Sequence, residues 1–516
     1  MTSGTKRLLV GAAAVVAVSL GFLIEERVRG VVALGRWQAE MRAKGEKLTI
    51  AEIVPPAPTN MGCLILTPEG AASRWAVNSS SSSVSPPAMW YVAPGKAQVG
   101  WQAGSWMSGR ANANNWANAA VSLQQAMPAI ENLRADLTNH VFVVRFDYDQ
   151  GFPMPLPHVP RYEKAGVLLK TATQLALRQQ RLDLATENLV ALAALADFSE
   201  GEGMAINEIV LHAIADPGVR ALWEALQADG WSDAQLAAIH AAWQKPDFMR
   251  GIARAFEVER ATSSLIFDRD RYSLRQIFEI VPEIECGPPG NAASPGLIGW
   301  VRGVLRSLVD LGAKPRYLVW LGVWRVSWME QDQLRHQRLL QQAIDRMRRA
   351  ASEKRFRTEP QPVDQGTPSS RDALSYAAVG WRRARYCISM CLLPLFERSP
   401  DKAALAEAQR DIAITALAIK RYQLRHGGLP DRLEALVPEF LPTVPRDWFA
   451  DAPLQYRTQP DGSFLLYSVG PDGEDNGGDA RPADGYVKLT FAGGCDLVWP
   501  QSATAAEIAA FEAGLR

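Results

Sequence analysis

Leu8 to Ile24 reads LLVGAAAVVAVSLGFLI, seventeen residues without a charge, with Lys6 and Arg7 before it and Glu25 and Glu26 after it. As a helix rising ~1.5 Å per residue it covers about 26 Å, the short end of a bilayer-crossing segment. Any fold open to this chain must give the run to lipid, lose it by cleavage, or bury it. A signal peptide carries an apolar stretch of about 7–15 residues and ends at a small-x-small site. Here the run continues through bulky Phe22, Leu23 and Ile24 into Glu25-Glu26-Arg27. The expectation is an uncleaved anchor, with a cleaved signal and a buried soluble helix as alternatives. Lys6, Arg7 and the amino terminus favour an inside start, although Arg27, Arg29 and Arg36 lie on the other flank. No later segment is apolar enough to cross, so the rest of the chain is expected on the outer side.

That remainder is large. With 516 residues in all, the chain has room for about three globular units. Hydrophobic residues make up 47% and charged residues 21%, which supplies a core and excludes a disordered chain. Lys+Arg and Asp+Glu both number 55, a balance that argues against a nucleic-acid partner. Five cysteines without a CxxC pair exclude a disulfide scaffold.

Residues 25–60 read as a juxtamembrane helix, ended by Pro55, Pro56 and Pro58. Residues 61–160 form a Trp-rich mixed region with a Ser-rich loop near 78–87, and VFVVRFDY (141–148) is its best strand. From 161 to 355 the apolar spacing is helical. Leu168, Leu169, Ala172 and Leu175, then Leu184, Leu189, Leu192 and Leu195, predict a helical hairpin closed near Glu200–Gly203. Ser232 and Gln235 form a capping box. Pro282, Pro288 and Pro289 break the pattern, and a long helix is expected from Leu318 to Ala351. No fixed period appears, so the expectation is a large helical array or irregular bundle. Residues 356–372 (around RTEPQPVDQGTPSS) read as a linker, 373–500 as a C-terminal domain and 501–516 as a tail helix. The helical portion resembles membrane-anchored envelope proteins of bacteria. That resemblance implies a bacterial inner-membrane, single-pass protein, with its bulk on the periplasmic or extracytoplasmic side.

Catalytic signals are scarce. The histidines at 140, 158, 212, 240, 336 and 426 show no HxxxH or ExxH spacing. There is no GxxxxGK[ST] and no GxSxG. Cys387 and Cys391 fall on one helical face and read as buried thiols. Glu257, Glu259, Asp268 and Asp270 are carboxylates whose i,i+2 spacing turns them apart on a helix. The basic stretch 331–360 could touch anionic lipid or simply be a solvated face. The expected role is structural or interactive, with a protein partner in the envelope. The alternative is an envelope enzyme with its site in a cleft of the helical region, visible as a pocket of convergent polar groups.

The C-terminal part carries a second resemblance. A helix from about Lys402 to Tyr422 precedes HGGLP (426–430), the LEALVPEFL helix (433–441) and Pro445-Arg446-Asp447. LQYRT and FLLYS then flank Pro460-Asp461-Gly462, a hairpin signal, and VKLTF (487–491) offers a third strand. An acidic, Gly-rich loop spans Gly470–Gly485, with five carboxylates against Arg481. The order resembles the globular domain of the major pseudopilin of type II secretion. It implies a small α+β domain, a helix on an antiparallel sheet, that folds by itself, and a link to a secretion or surface assembly. It also implies a structural calcium ion held by Asp472 and Asp479, with carbonyls of Val469, Gly477 and Arg481. A solvated acidic turn is the alternative. The fold class expected overall is mainly α, with a membrane helix, a helical bundle and this α+β tail.

Overall fold

The computed structural model describes residues 3–53, 63–74, 86–108, 112–139, 141–150, 154–197, 205–280, 321–356, 385–389, 392, 399–481 and 495–514. Its first element, α1 (Ser3–Ala43), runs unbroken from the apolar segment into the charged stretch beyond it. No proline interrupts it, and its Ala- and Leu-rich composition favours the helix. Val10, Val16, Val18, Leu20 and Ile24 stand largely exposed. Past them, Glu26, Gly30, Leu34, Trp37 and Met41 recur at i+3 or i+4 and are buried. Among the described residues no helix is long and apolar enough to cross a membrane; side chains 6–9, 12 and 15 of α1 lie outside that description.

After α2 (Ile50–Ile53), the Trp-rich stretch folds as small pieces. They are β1 (Cys63–Leu66), α3 (Pro68–Arg74), β2 (Trp90–Ala93), β3 (Lys96–Gln98), β4 (Ser105–Ser108), β5 (Asn112–Asn115), α4 (Trp116–Asn139) and β6 (Val141–Val144). β6 is the strand expected at VFVV, and it pairs in parallel with β1. β2 with β3 and β4 with β5 are antiparallel. Pro55–Pro58 and the serines at 79–83 lie outside the described residues.

The body comprises α5 (Val159–Arg178), α6 (Leu182–Ala196), α7 (Ala205–Leu226), α8 (Asp233–Trp243), α9 (Phe248–Ser263) and α10 (Leu274–Ile280). α5 and α6 pack as the expected hairpin, and α7 lies against both. Ser232 caps α8 reciprocally with Gln235. The hairpin's closing residues 200–203, Pro282, Pro288, Pro289 and the start of the long helix at 318–320 fall outside the described residues. The rest of that helix is broken. Residues 321–327 are helical, Trp328 turns out of the helix at φ −118°, and α11 (Met329–Glu353) starts afresh. The Trp324 indole donates to Asp332 at 3.0 Å, and Asp332 also accepts from the backbone N–H of Ile388 and Ser389. A buried carboxylate needing three donors fixes the break.

α11 joins α1 to the body. The Gln331 amide donates to the Glu26 carbonyl at 2.6 Å, and Arg385 pairs with the Glu26 carboxylate at 2.9 Å. Gly30 sits at the crossing, where a Cβ would lie 2.8 Å from Gln331 Cγ. Arg348 bridges Glu46 and Glu257, and Arg355 pairs with Asp451, so these two cations of the basic 331–360 stretch serve internal ion pairs.

α12 (Ser399–His426) is the helix expected to open the C-terminal domain. It is buried along most of its length and packs on α7, α8 and α9 as well as on its own sheet. Glu407 accepts from the Met249 N–H at the start of α9, and Arg410 pairs with Glu407 and Asp411. The Trp448 indole donates to Asp411 at 2.8 Å. β7 (Gln455–Thr458), β8 (Phe464–Ser468) and β9 (Leu497–Val498) form the antiparallel sheet, the hairpin standing where Pro460-Asp461-Gly462 placed it. β10 (Gln501–Ser502) pairs in parallel with β3, and α13 (Ala505–Gly514) leans on β2. Among the described residues one hydrophobic core runs from Met89 to Trp499 and takes in both the body helices and the C-terminal sheet. Most of the linker (357–372), Cys391 and the VKLTF strand lie outside the described residues. Cys387 is buried.

Candidate functional site

A cavity of about 590 Å³ opens between residues 86–91, α5 and α7, lined by Pro86, Pro87, Met89, Trp90, Tyr91, Lys170, Asp216, Pro217 and Arg220 among others. Its position follows from one buried carboxylate. Glu224, on the inner face of α7, is fully buried and accepts from the N–H of Met89 and Gly100, both at 2.7 Å, and of Trp101 at 3.2 Å. These bonds pull the 86–101 segment onto the helices. Gly100 is required for the approach: a Cβ there would lie 2.0 Å from the Pro87 carbonyl oxygen and 2.9 Å from the Glu224 carboxylate. Two α5 side chains complete the stitching. Lys170 Nζ donates to the Pro86 carbonyl at 3.1 Å, and the Gln174 amide donates to that of Pro87 at 2.9 Å.

Burial shifts the charges at the cavity and in its wall. Burial pulls the Lys170 ammonium down to about 8, against the Glu224 charge that favours protonation. Burial pushes Glu224 up to about 7, against its three N–H donors and Lys170. Arg220 pairs with Asp216, one turn earlier on α7, at 2.8 Å. Tyr91 is 6% exposed, and its hydroxyl has no partner among the described residues. Burial drives its ionisation far above the usual phenol range. The cavity thus offers an ammonium, a guanidinium and a neutral hydroxyl beside one paired carboxylate.

None of these residues stands out in the sequence by motif. The available signal is a lone charge inside an apolar helical run, Lys170 in VLLKTATQLAL and Glu224 in ALWEAL. Such placement needs a partner or a function. A second polar contact, His336 Nε2 to Ser263 Oγ at 2.8 Å, pairs a nucleophile type with a base type. Both residues are 0% exposed, which denies a substrate access.

The acidic loop is held differently from expectation. Asp496, absent from the expected ligand set, is 1% exposed and accepts from the N–H of Asn476, Gly478 and Asp479 at 3.3, 2.7 and 3.0 Å. Asp479 is paired with the Arg481 guanidinium at 2.6 Å, and Asp472 accepts from the Glu474 N–H at 3.1 Å. The Gly477 carbonyl accepts from Arg457 at 3.1 Å, and that of Arg481 from the Cys495 N–H at 2.9 Å. The N–H of Val469 is tied to Asp447, the turn aspartate, at 2.8 Å. Asp484 lies outside the described residues. Among the described residues no three His, Cys, Asp or Glu gather to hold a metal ion. Asp479 already has a counter-charge, and two of the three expected carbonyls have protein donors.

No protein-family model matches the chain, and no curated protein or solved structure matches it.

Proposed function

We propose that this is a single-pass, membrane-anchored protein of the bacterial inner membrane, whose body acts on the extracytoplasmic side as an interaction module of an envelope assembly. The observation that carries the proposal is α1. Its uncharged run presents Val10, Val16, Val18, Leu20 and Ile24 to the surroundings, while the following turns are stitched to the body from Glu26 onward. Exposed apolar residues on all sides of one helix are unfavourable in water and natural in lipid. The α+β arrangement of α12 on β8 supports a link to a secretion or surface assembly, as the pseudopilin resemblance implies. Alkaline carbonate washing should leave the full chain in the membrane pellet, with its amino terminus intact and its body open to protease added to spheroplasts. Recovery in the wash, beginning beyond residue 24, would replace the anchor with a cleaved signal.

A second function, an enzyme with its site in a cleft of the helical region, is favoured by the cavity. Lys170, poised near 8 beside a neutral tyrosine, has the protonation balance of a general base or nucleophile.

A further inference from the structure

The cavity between residues 86–91, α5 and α7 is, we infer, a binding site for a small organic anion, held by the Lys170 ammonium, the Tyr91 hydroxyl and the N–H groups of Arg220 that Asp216 leaves over. The sign follows from the lining. Two cations face one carboxylate, and that carboxylate is already engaged by Arg220 at 2.8 Å. A guanidinium carries five N–H groups in a rigid fork, so one carboxylate cannot use them all. Glu224, the other acid nearby, is sealed behind the wall, accepting from three backbone N–H groups.

Tyr91 gives an independent indication. A buried hydroxyl normally has a partner, and this one lacks any among the described residues. It faces the Arg220–Asp216 pair, whose charges act on its ionisation. It stays protonated at any physiological pH, and because its oxygen is sealed from solvent an acceptor in the cavity reaches it only with a small shift of the lining.

Size and walls make the ligand organic. A volume of about 590 Å³ lies within the range of roughly 300–1,000 Å³ typical of organic ligands and far exceeds one bare ion. Pro87, Pro217 and Trp90 supply apolar surface for its remainder. The site is also preformed, because Glu224, Lys170 and Gln174 fasten the 86–101 segment without a ligand. None of this depends on the anchor, so a soluble protein would leave the inference standing.

The test is calorimetric titration of the full chain in detergent with benzoate, phenyl phosphate, inorganic phosphate and cyclohexylammonium. Saturable binding of benzoate or phenyl phosphate is expected, the stronger of the two naming the head group. Inorganic phosphate and cyclohexylammonium should each bind at least about tenfold more weakly. Tyr91→Phe should weaken the better anion by about tenfold, the effect of losing one hydrogen bond to a charged group. Its melting temperature should not fall, since the hydroxyl has no protein partner to lose. Lys170→Met should weaken binding by more than Tyr91→Phe, and Lys170→Arg should restore most of it, which separates charge from packing. Absence of saturable binding by both aromatic anions would overturn the inference. So would equal binding of cyclohexylammonium, equal binding of inorganic phosphate, or an unchanged affinity in Tyr91→Phe.

Discussion

Asp496 ties the acidic loop together. One carboxylate gathers the backbone N–H groups of Asn476, Gly478 and Asp479, and Asp479 pairs with its neighbour Arg481. Asp496→Ala should therefore lower the melting temperature clearly, by an amount equivalent to about 1–3 kcal/mol for the orphaned donors. Asp472→Ala, whose side chain caps only the exposed Glu474 N–H, should cost under about 1 kcal/mol. Thermal unfolding in millimolar calcium and in chelator should superimpose; a calcium-dependent rise lost in Asp472→Ala would restore the ion. Another residue acts through pH. Burial, with Arg335 adding to it, lowers His336 to about 4, so the folded state holds it neutral. The unfolded ring takes a proton near 6.5. This stability is complete above pH 6.5 and is lost as pH falls toward 4, a total of about 3 kcal/mol. Urea unfolding of the wild type against His336→Met should show their difference shrinking over that window. A constant difference would mean that the buried ring does not resist protonation.

At the scale of elements, the legible parts were those whose signal is local. The α5–α6 hairpin, the Ser232 cap, β6 and the β7–β8 turn all declare themselves within one run of residues. α12 shows where local reading stops. It is buried nearly all round, because three body helices claim it as well as the sheet. Glu407, Arg410 and Asp411 form a buried network with Met249, Pro246 and Trp448, partners that lie far away along the chain. The break at Trp328 was hidden for the same reason, since Asp332 finds its donors on a distant segment. A fragment comprising residues 399–514 should consequently not fold alone. Cut from α7, α8 and α9, it exposes apolar surface and strands the Glu407–Arg410 charges. Circular dichroism and amide-proton dispersion should show an expanded, poorly packed chain; a cooperative melt of the fragment would make it the independent domain that the resemblance implies.

For the whole molecule, the continuity of the core from Met89 to Trp499 has an observable counterpart. The body should unfold in one calorimetric transition, since bundle and tail sheet share their contacts. Two resolved transitions would show that α12 separates from α7–α9 without cost. The same continuity explains why the cavity could not be read from the sequence. Tyr91, Lys170 and Arg220 belong to three elements that meet only after Glu224 has drawn the 86–101 segment inward.

The unbroken course of α1 carries a mechanical consequence. From Ile24 to Ala43 a helix advances about 28 Å, and its buried stripe is clamped to α11 from Glu26 onward. There is no hinge between the part that would sit in lipid and the part that is bolted to the body. A protein hung on a flexible tether samples every attitude toward the surface beneath it; a chain anchored through α1, as proposed, would instead hang on a stiff shaft whose tilt sets how the body leans. The mouth of the cavity would then keep a constant bearing toward that surface.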